Sequence, residues 1–185
     1  MFNLNFFTSL FMTTTQTHKA KPEEMAPFYH TYLNYVTETD VLIQLRNRLE
    51  IVKQLWGSIP PEKHDFAYAT DKWTIKQVLG HIIDTERIFA CRALCIARGE
   101  TQALTGFDEN AYVINANFTL RTLPDLLVEF DLVRQSTLML FENLAEQVFD
   151  NQGIASQNPI TVRALASITV GHEMHHSYVL QERYL

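Results

Sequence analysis

Helix breakers and cross-links are scarce in this chain: its 185 residues include two cysteines, six glycines and six prolines. So few cysteines exclude a disulfide framework. Cys91 and Cys95 stand four apart, side by side on one helical face, and reduced thiols in a cytosol fit that pattern. The rarity of Gly and Pro leaves room for long uninterrupted helices. An excess of positive charge is missing too. With a formal net charge of -6 and a pI near 5.6, a basic face for nucleic acid is not expected. No apolar run is long enough to cross a bilayer, so no membrane span is expected. What is present is ordinary for a globular protein. Hydrophobic residues make up 46% and charged residues 19%, which excludes the disordered class. The length suits one domain with a sizeable core.

The opening run, MFNLNFFTSLFMTTTQTHK, has an apolar patch with no Lys or Arg before it and no small-residue cleavage pattern after it. A secretory signal fits it poorly. Residues 1–24 are expected to be a disordered extension, or the product of an early start with Met12 or Met25 as the true one. Residues 25–185 are then a single domain.

Four segments carry helical periodicity. The first runs from about Thr39 to Trp56, with Leu42, Leu45, Leu49, Val52 and Trp56 on one stripe, and a shorter piece from Pro27 to Val36 precedes it. The second runs from Thr74 to Arg98. Thr74 followed by Gln77 is a capping-box signature, and Gly99 suits the end. The third starts near Thr122 with Pro124 in its first turn, and the fourth starts near Thr161. Residues 100–121 form a long crossover with a short helix around Glu109 to Asn117. Residues 57–73 and 146–160 read as loops, and no segment alternates with period two, so no strand is predicted. The expected fold is an all-α four-helix bundle with at least one long crossover.

The last helix contains GHEMHHSYVL. Val162, Leu165, Ile168, Thr169, Val179 and Leu180 define its apolar stripe, at about 100° per residue. His172 and His176 fall inside the stripe, and His175 falls at its margin. Two imidazoles in a core must be hydrogen-bonded, or their burial is costly. A metal ion resolves this directly, because neutral imidazole is a good ligand and His-x-x-x-His lets both rings reach one ion. Neighbouring polar groups are the other solution. On the second helix, His81 sits at the edge of the apolar stripe, near Thr85 and Arg92, so periodicity alone does not decide its role. Asp84, three residues on, is a carboxylate that can orient a ligand ring. Glu86 lies within the apolar stripe, and the reading favoured here pairs it with an Arg of another helix. Cys91 and Cys95 read as small hydrophobes. Tyr68, Trp73, Phe107 and Tyr112 read as caps on the ends of the core.

The runs KWTIKQVLGHIIDTERIFACRALCIARGE, GFDENAYV, LLVEFDLVRQSTLMLF and ITVRALASITVGHEMHHSYVLQERYL together resemble the DinB-like superfamily. This superfamily includes YfiT-like metal-dependent hydrolases and the bacillithiol- and mycothiol-dependent transferases. The likeness spans about residues 26–185. It implies a four-helix bundle of up-down-down-up topology and, commonly, a homodimer. It also implies one divalent ion, nickel or zinc, on His81, His172 and His176.

Three neutral nitrogen ligands leave an ion doubly positive and open to water or substrate, so either a water or a thiol can be activated there. The first expectation is an enzyme, a thiol transferase or hydrolase acting on a small molecule, with a low-molecular-weight thiol as one candidate partner. Asp84 and Glu173 are the candidate bases or orienting carboxylates, and the 100–121 crossover supplies pocket residues, with Asp108 and Tyr112 as candidates. The second expectation is a non-catalytic metal-binding protein in stress response or interaction. A fourth protein ligand such as Cys91 or Glu173 would favour that second reading.

Overall fold

Every long helix of the bundle starts on a side chain that accepts a backbone N–H. In the structure, a computed structural model that describes residues 17–185, Asp40 caps one helix, Thr74 the next, Thr122 the third and Thr161 the fourth. Each such cap contributes about 1 kcal/mol and fixes where its helix begins. With two shorter pieces, the helices are α1 (His30–Leu33), α2 (Val41–Gly57), α3 (Ile75–Ala97), α4 (Glu109–Ala116), α5 (Leu123–Glu142) and α6 (Val162–Arg183). The capping box expected at Thr74 and Gln77 forms in both directions. Asn117 ends α4 in the left-handed conformation, at φ 52°. No helix among the described residues is long and apolar enough to cross a membrane.

Cross-helix pairs give the topology. Lys76 reaches the Thr119 carbonyl near the start of both α3 and α5, and further along Glu86 meets Arg134, so these neighbours run parallel. Gln44, Arg48 and Trp56 of α2 meet Met174, Glu173 and Ser177 of α6, which is again close to parallel. Arg46 pairs with Glu142 and Lys53 with Asp131, so α2 and α5 are antiparallel. The arrangement is up-down-down-up. A parallel α3–α5 pair requires the chain to return the length of the bundle, and residues 98–122 with α4 make that return.

The apolar core is split in two. One cluster gathers Leu45, Phe89, Phe141 and Leu165, and the other gathers Trp56, Ile82, Phe130 and Leu180. Between them lies a belt of buried polar residues: His81, Glu86, Arg134, His172, Glu173 and Ser177. Buried charges persist only when paired. Glu86 takes both its oxygens to Arg134, each at 2.8 Å, which is the inter-helix Arg pairing read from the sequence. Glu173 is held by Arg48 at 2.9 and 2.7 Å and accepts from Ser177 at 2.7 Å.

Two expectations need correction. Residues 17–24, assigned above to the extension, pack on the bundle. Ala20 is buried and its N–H donates to Ser167 Oγ at 3.0 Å, while Glu24 accepts from Thr161 at 2.7 Å. This stretch is polar, so its burial arises from docking against α6 rather than from a pattern of its own. The rest of the predicted extension, residues 1–16, lies outside the described residues. The 146–160 connection, read as a loop, contains a hairpin of β1 (Gln152–Ala155) and β2 (Asn158–Thr161). Its two-residue turn, Ser156–Gln157, has φ of 48° and 66°. Such turns usually carry Asn-Gly or Asp-Gly, so Ser-Gln conceals the hairpin.

Gly171 lets α1 rest directly on α6. A Cβ at this position would stand 2.3 Å from the Tyr32 carbonyl oxygen, which is backbone and cannot swing aside. Gly171→Ala is expected to destabilise the protein by roughly 1–3 kcal/mol through overpacking, read as a lower urea midpoint with an unchanged slope.

Candidate metal centre

His172 and His176 are four apart on α6, so both rings leave the same face of that helix. His81 reaches them from the antiparallel α3. His172 Nε2 stands 3.0 Å from His81 Nε2 and 3.1 Å from His176 Nε2. One coordinating nitrogen from each ring can be chosen so that all three lie within 4.8 Å of one another. Among the described residues, these three are the group of potential ligands.

The donor chemistry fits a cation. Two ring nitrogens 3 Å apart need one proton between them, yet His172 Nε2 faces two partners at that distance. Three neutral ring nitrogens gathered this closely suit a shared cation, which would satisfy all three at once. Nitrogens bound at about 2.0–2.1 Å to one ion lie about 3.0–3.4 Å apart, which matches both separations. On the far side of His81, Nδ1 faces Thr85 Oγ1 at 3.4 Å. A partner there holds the ring's tautomer and orientation.

Burial keeps these rings neutral. It pushes His81 down to about 4, and it pushes His172 and His176 well below the ordinary histidine value, with repulsion among the rings adding to the effect. The unfolded rings titrate near 6.5. Between that value and the folded one, the unfolded chain binds more protons, so stability rises with pH and is lost as pH drops through this window. The metal-free protein should keep its full stability above about pH 6.5. By pH 4 it should lose about 3 kcal/mol through His81 alone. Urea unfolding in chelator at pH 7.5 and pH 4 measures this, and equal stability at both would contradict it.

The triad forms part of the wall of a 490 Å³ cavity. Trp73 packs on His81 at 4.6 Å between ring centroids, and Tyr32 packs edge-on against His172 at 5.4 Å. Tyr29, Phe89 and Phe107 add further aromatic wall, while Glu109 and Ser156 add polar groups. A second lobe of 350 Å³ shares Trp73, Glu109 and His176 with the first and extends past Tyr68, Lys72 and His175.

Other residues singled out from the sequence lie elsewhere. Asp84 is half-buried beside Arg87, at 3.5 Å, and burial raises its pKa. Glu173 is buried and occupied by Arg48 and Ser177. Neither lines the cavity. Each lies close to a triad histidine in sequence but leaves its helix in another direction. His175 hydrogen-bonds Tyr35 at 3.3 Å and stands outside the triad. Asp108 caps α4, accepting from Ala111 N–H at 3.1 Å, and Tyr112 packs on Phe107. Cys91 is exposed and Cys95 partly so, and neither belongs to the ligand group. Trp73, read as a core cap, packs against the core and is a cavity wall as well, and Phe107, read the same way, is a cavity wall. Tyr29, Tyr32, Glu109 and Ser156 were not identified as site residues. Only the placement of the 100–121 crossover as a source of pocket residues pointed toward Glu109.

The sequence model of the DinB superfamily matches residues 44–180. Comparison with curated proteins returns no match. Among solved structures, the chain is similar to YfiT from Bacillus subtilis, described as a probable metal-dependent hydrolase with an unusual four-helix bundle topology. The TM-score is 0.68 at 19% identity, over 92% of this chain and 94% of that one.

Proposed function

The chain belongs to the DinB superfamily, and from that premise we propose that it is a metal-dependent hydrolase acting on a small molecule bound in the aromatic cavity. His81, His172 and His176 would hold one divalent transition-metal ion, zinc or nickel. The observation that carries the reading is the convergence of three neutral imidazoles on one point of the cavity wall. Such an ion, when bound, supplies Lewis acidity that lowers the pKa of a water or a thiol.

The chain's own groups do the rest. Thr85 Oγ1 faces His81 Nδ1, and accepting from an Nδ1–H there would leave Nε2 free for the ion. Trp73, Tyr32 and Phe89 wall the cavity around the triad. Burial pushes Tyr32 up to about 12, so its phenol stays protonated and would offer a donor to a guest in the cavity. Glu109 is a carboxylate on both lobes, and its Oε atoms are the acceptor we assign to the proton released in hydrolysis.

A non-catalytic role would call for a closed set of four protein donors. Among the described residues the group has three members, which supports chemistry. The test is a turnover assay on metal-loaded protein, with an ester and amide panel in one arm and thiols with electrophilic acceptors in the other. Hydrolysis that is lost in His176→Ala supports the proposal. Turnover only when a thiol is supplied would assign thiol transfer instead.

A further inference from the structure

Arg92 is 4% exposed, and among the described residues no carboxylate stands within ion-pairing distance of it. It is the exception among the deeply buried arginines, since Arg134 is fully matched by Glu86. A buried cation without a counter-charge is costly, and proteins keep one where a ligand or partner completes it.

The surroundings of Arg92 belong to the cavity. One terminal nitrogen donates to the Thr105 carbonyl at 2.8 Å and to Ser156 Oγ at 3.0 Å. The guanidinium carbon lies 5.9 Å from the centroid of the Phe107 ring. Arg92 also sits close enough to Tyr29 to oppose the rise that burial imposes on that phenol. Ser156, Phe107 and Tyr29 all line the cavity. Five N–H groups in a fixed fork are available to an arginine, and the two bonds named leave donors over for a guest. The hairpin turn that delivers Ser156 is thereby part of the cavity, which gives its left-handed residues a task.

His81, Thr85, Phe89 and Arg92 lie on one side of α3, and the first three line the cavity. Eleven residues of helix separate His81 from Arg92, a rise of about 16 Å. Helical side chains lean toward the helix N-terminus, so the guanidinium reaches back toward the triad and the separation is shorter, roughly 10–16 Å.

We infer that Arg92 is the anchor for a carboxylate on the substrate, so that the cavity takes an elongated monoanion with its reacting group at the histidines and its carboxylate at Arg92. A single unmatched positive charge suits one negative charge. A phosphate monoester would bring a second negative charge toward Glu109, which faces the same space. The Nε–H and Nη1 groups, which those two bonds leave over, are charge-assisted donors to a carboxylate, and the aromatic walls suit an apolar middle.

The inference rests on reading the cavity as the substrate site, but its test does not depend on the metal. 4-Phenylbutyrate and its uncharged amide are titrated into the full-length chain, into His176→Ala and into Arg92→Gln, and followed by calorimetry. The carboxylate should bind at least tenfold tighter than the amide to the wild type and to His176→Ala, and the preference should vanish in Arg92→Gln. In parallel, the Arg92 Nε–H resonance of the wild-type protein should shift with the acid and not with the amide, a readout that needs no variant to fold. A preference that survives Arg92→Gln, or an Arg92 resonance unmoved by millimolar acid, overturns the assignment. Loss of binding only in His176→Ala would place the carboxylate on the metal and overturn it equally.

Discussion

His172→Ala, purified without a histidine tag, is expected to carry no stoichiometric metal, while the wild-type chain carries one ion. His172 is the hub of the triad, with its Nε2 at 3.0 Å from one partner nitrogen and 3.1 Å from the other. Removing it leaves one ring on each helix. Loss of a partner that merely orients a ligand costs about 10–100-fold in metal affinity, so loss of the central ligand should cost at least that much. Elemental analysis measures occupancy, and circular dichroism should show unchanged helicity. His175→Ala is the matched control. That ring bonds Tyr35 outside the triad, so its removal should leave the metal in place.

Glu86→Gln should destabilise the protein by about 3–5 kcal/mol, the usual effect of removing one partner of a buried ion pair. Arg134 is fully buried and gives Glu86 two bonds at 2.8 Å, with a third to the Leu45 carbonyl at 3.1 Å. Neutralising the carboxyl leaves the guanidinium uncompensated between the two apolar clusters. Replacing both residues by Met and Leu removes both charges and should restore most of the loss. Urea unfolding of the three proteins decides the matter. A Glu86→Gln protein as stable as wild type would mean that water reaches Arg134.

The parts legible in the sequence are those set by local periodicity. Thr74, Thr122 and Thr161 announced helix starts because a capping side chain acts within three residues. His172 and His176 could be assigned to one face because helical spacing alone brings them together. Glu86 was legible because a carboxylate inside an apolar stripe must find a partner. The cavity was not legible, because Tyr29, Tyr32, Glu109 and Ser156 come from connecting segments that converge only in three dimensions. Asp84 and Glu173 lie away from the cavity walls. Nearness in sequence suggested them, but one residue turns a helix by about 100°, enough to aim Glu173 at α2 instead of the cavity. The packing of residues 17–24 was hidden for the same reason as the walls, since Ala20 is buried by Ser167 of α6 and not by its own neighbours.

X-ray absorption at the metal edge of the untagged protein tests the central claim most directly. The account predicts one bound ion whose nearest shell contains three imidazole nitrogens at about 2.0–2.1 Å, with lighter oxygen or nitrogen donors completing it. A shell containing sulfur at about 2.3 Å would instead assign the ion to thiolates such as Cys91 and Cys95. That result, or the absence of any imidazole signature, would contradict the three-histidine site.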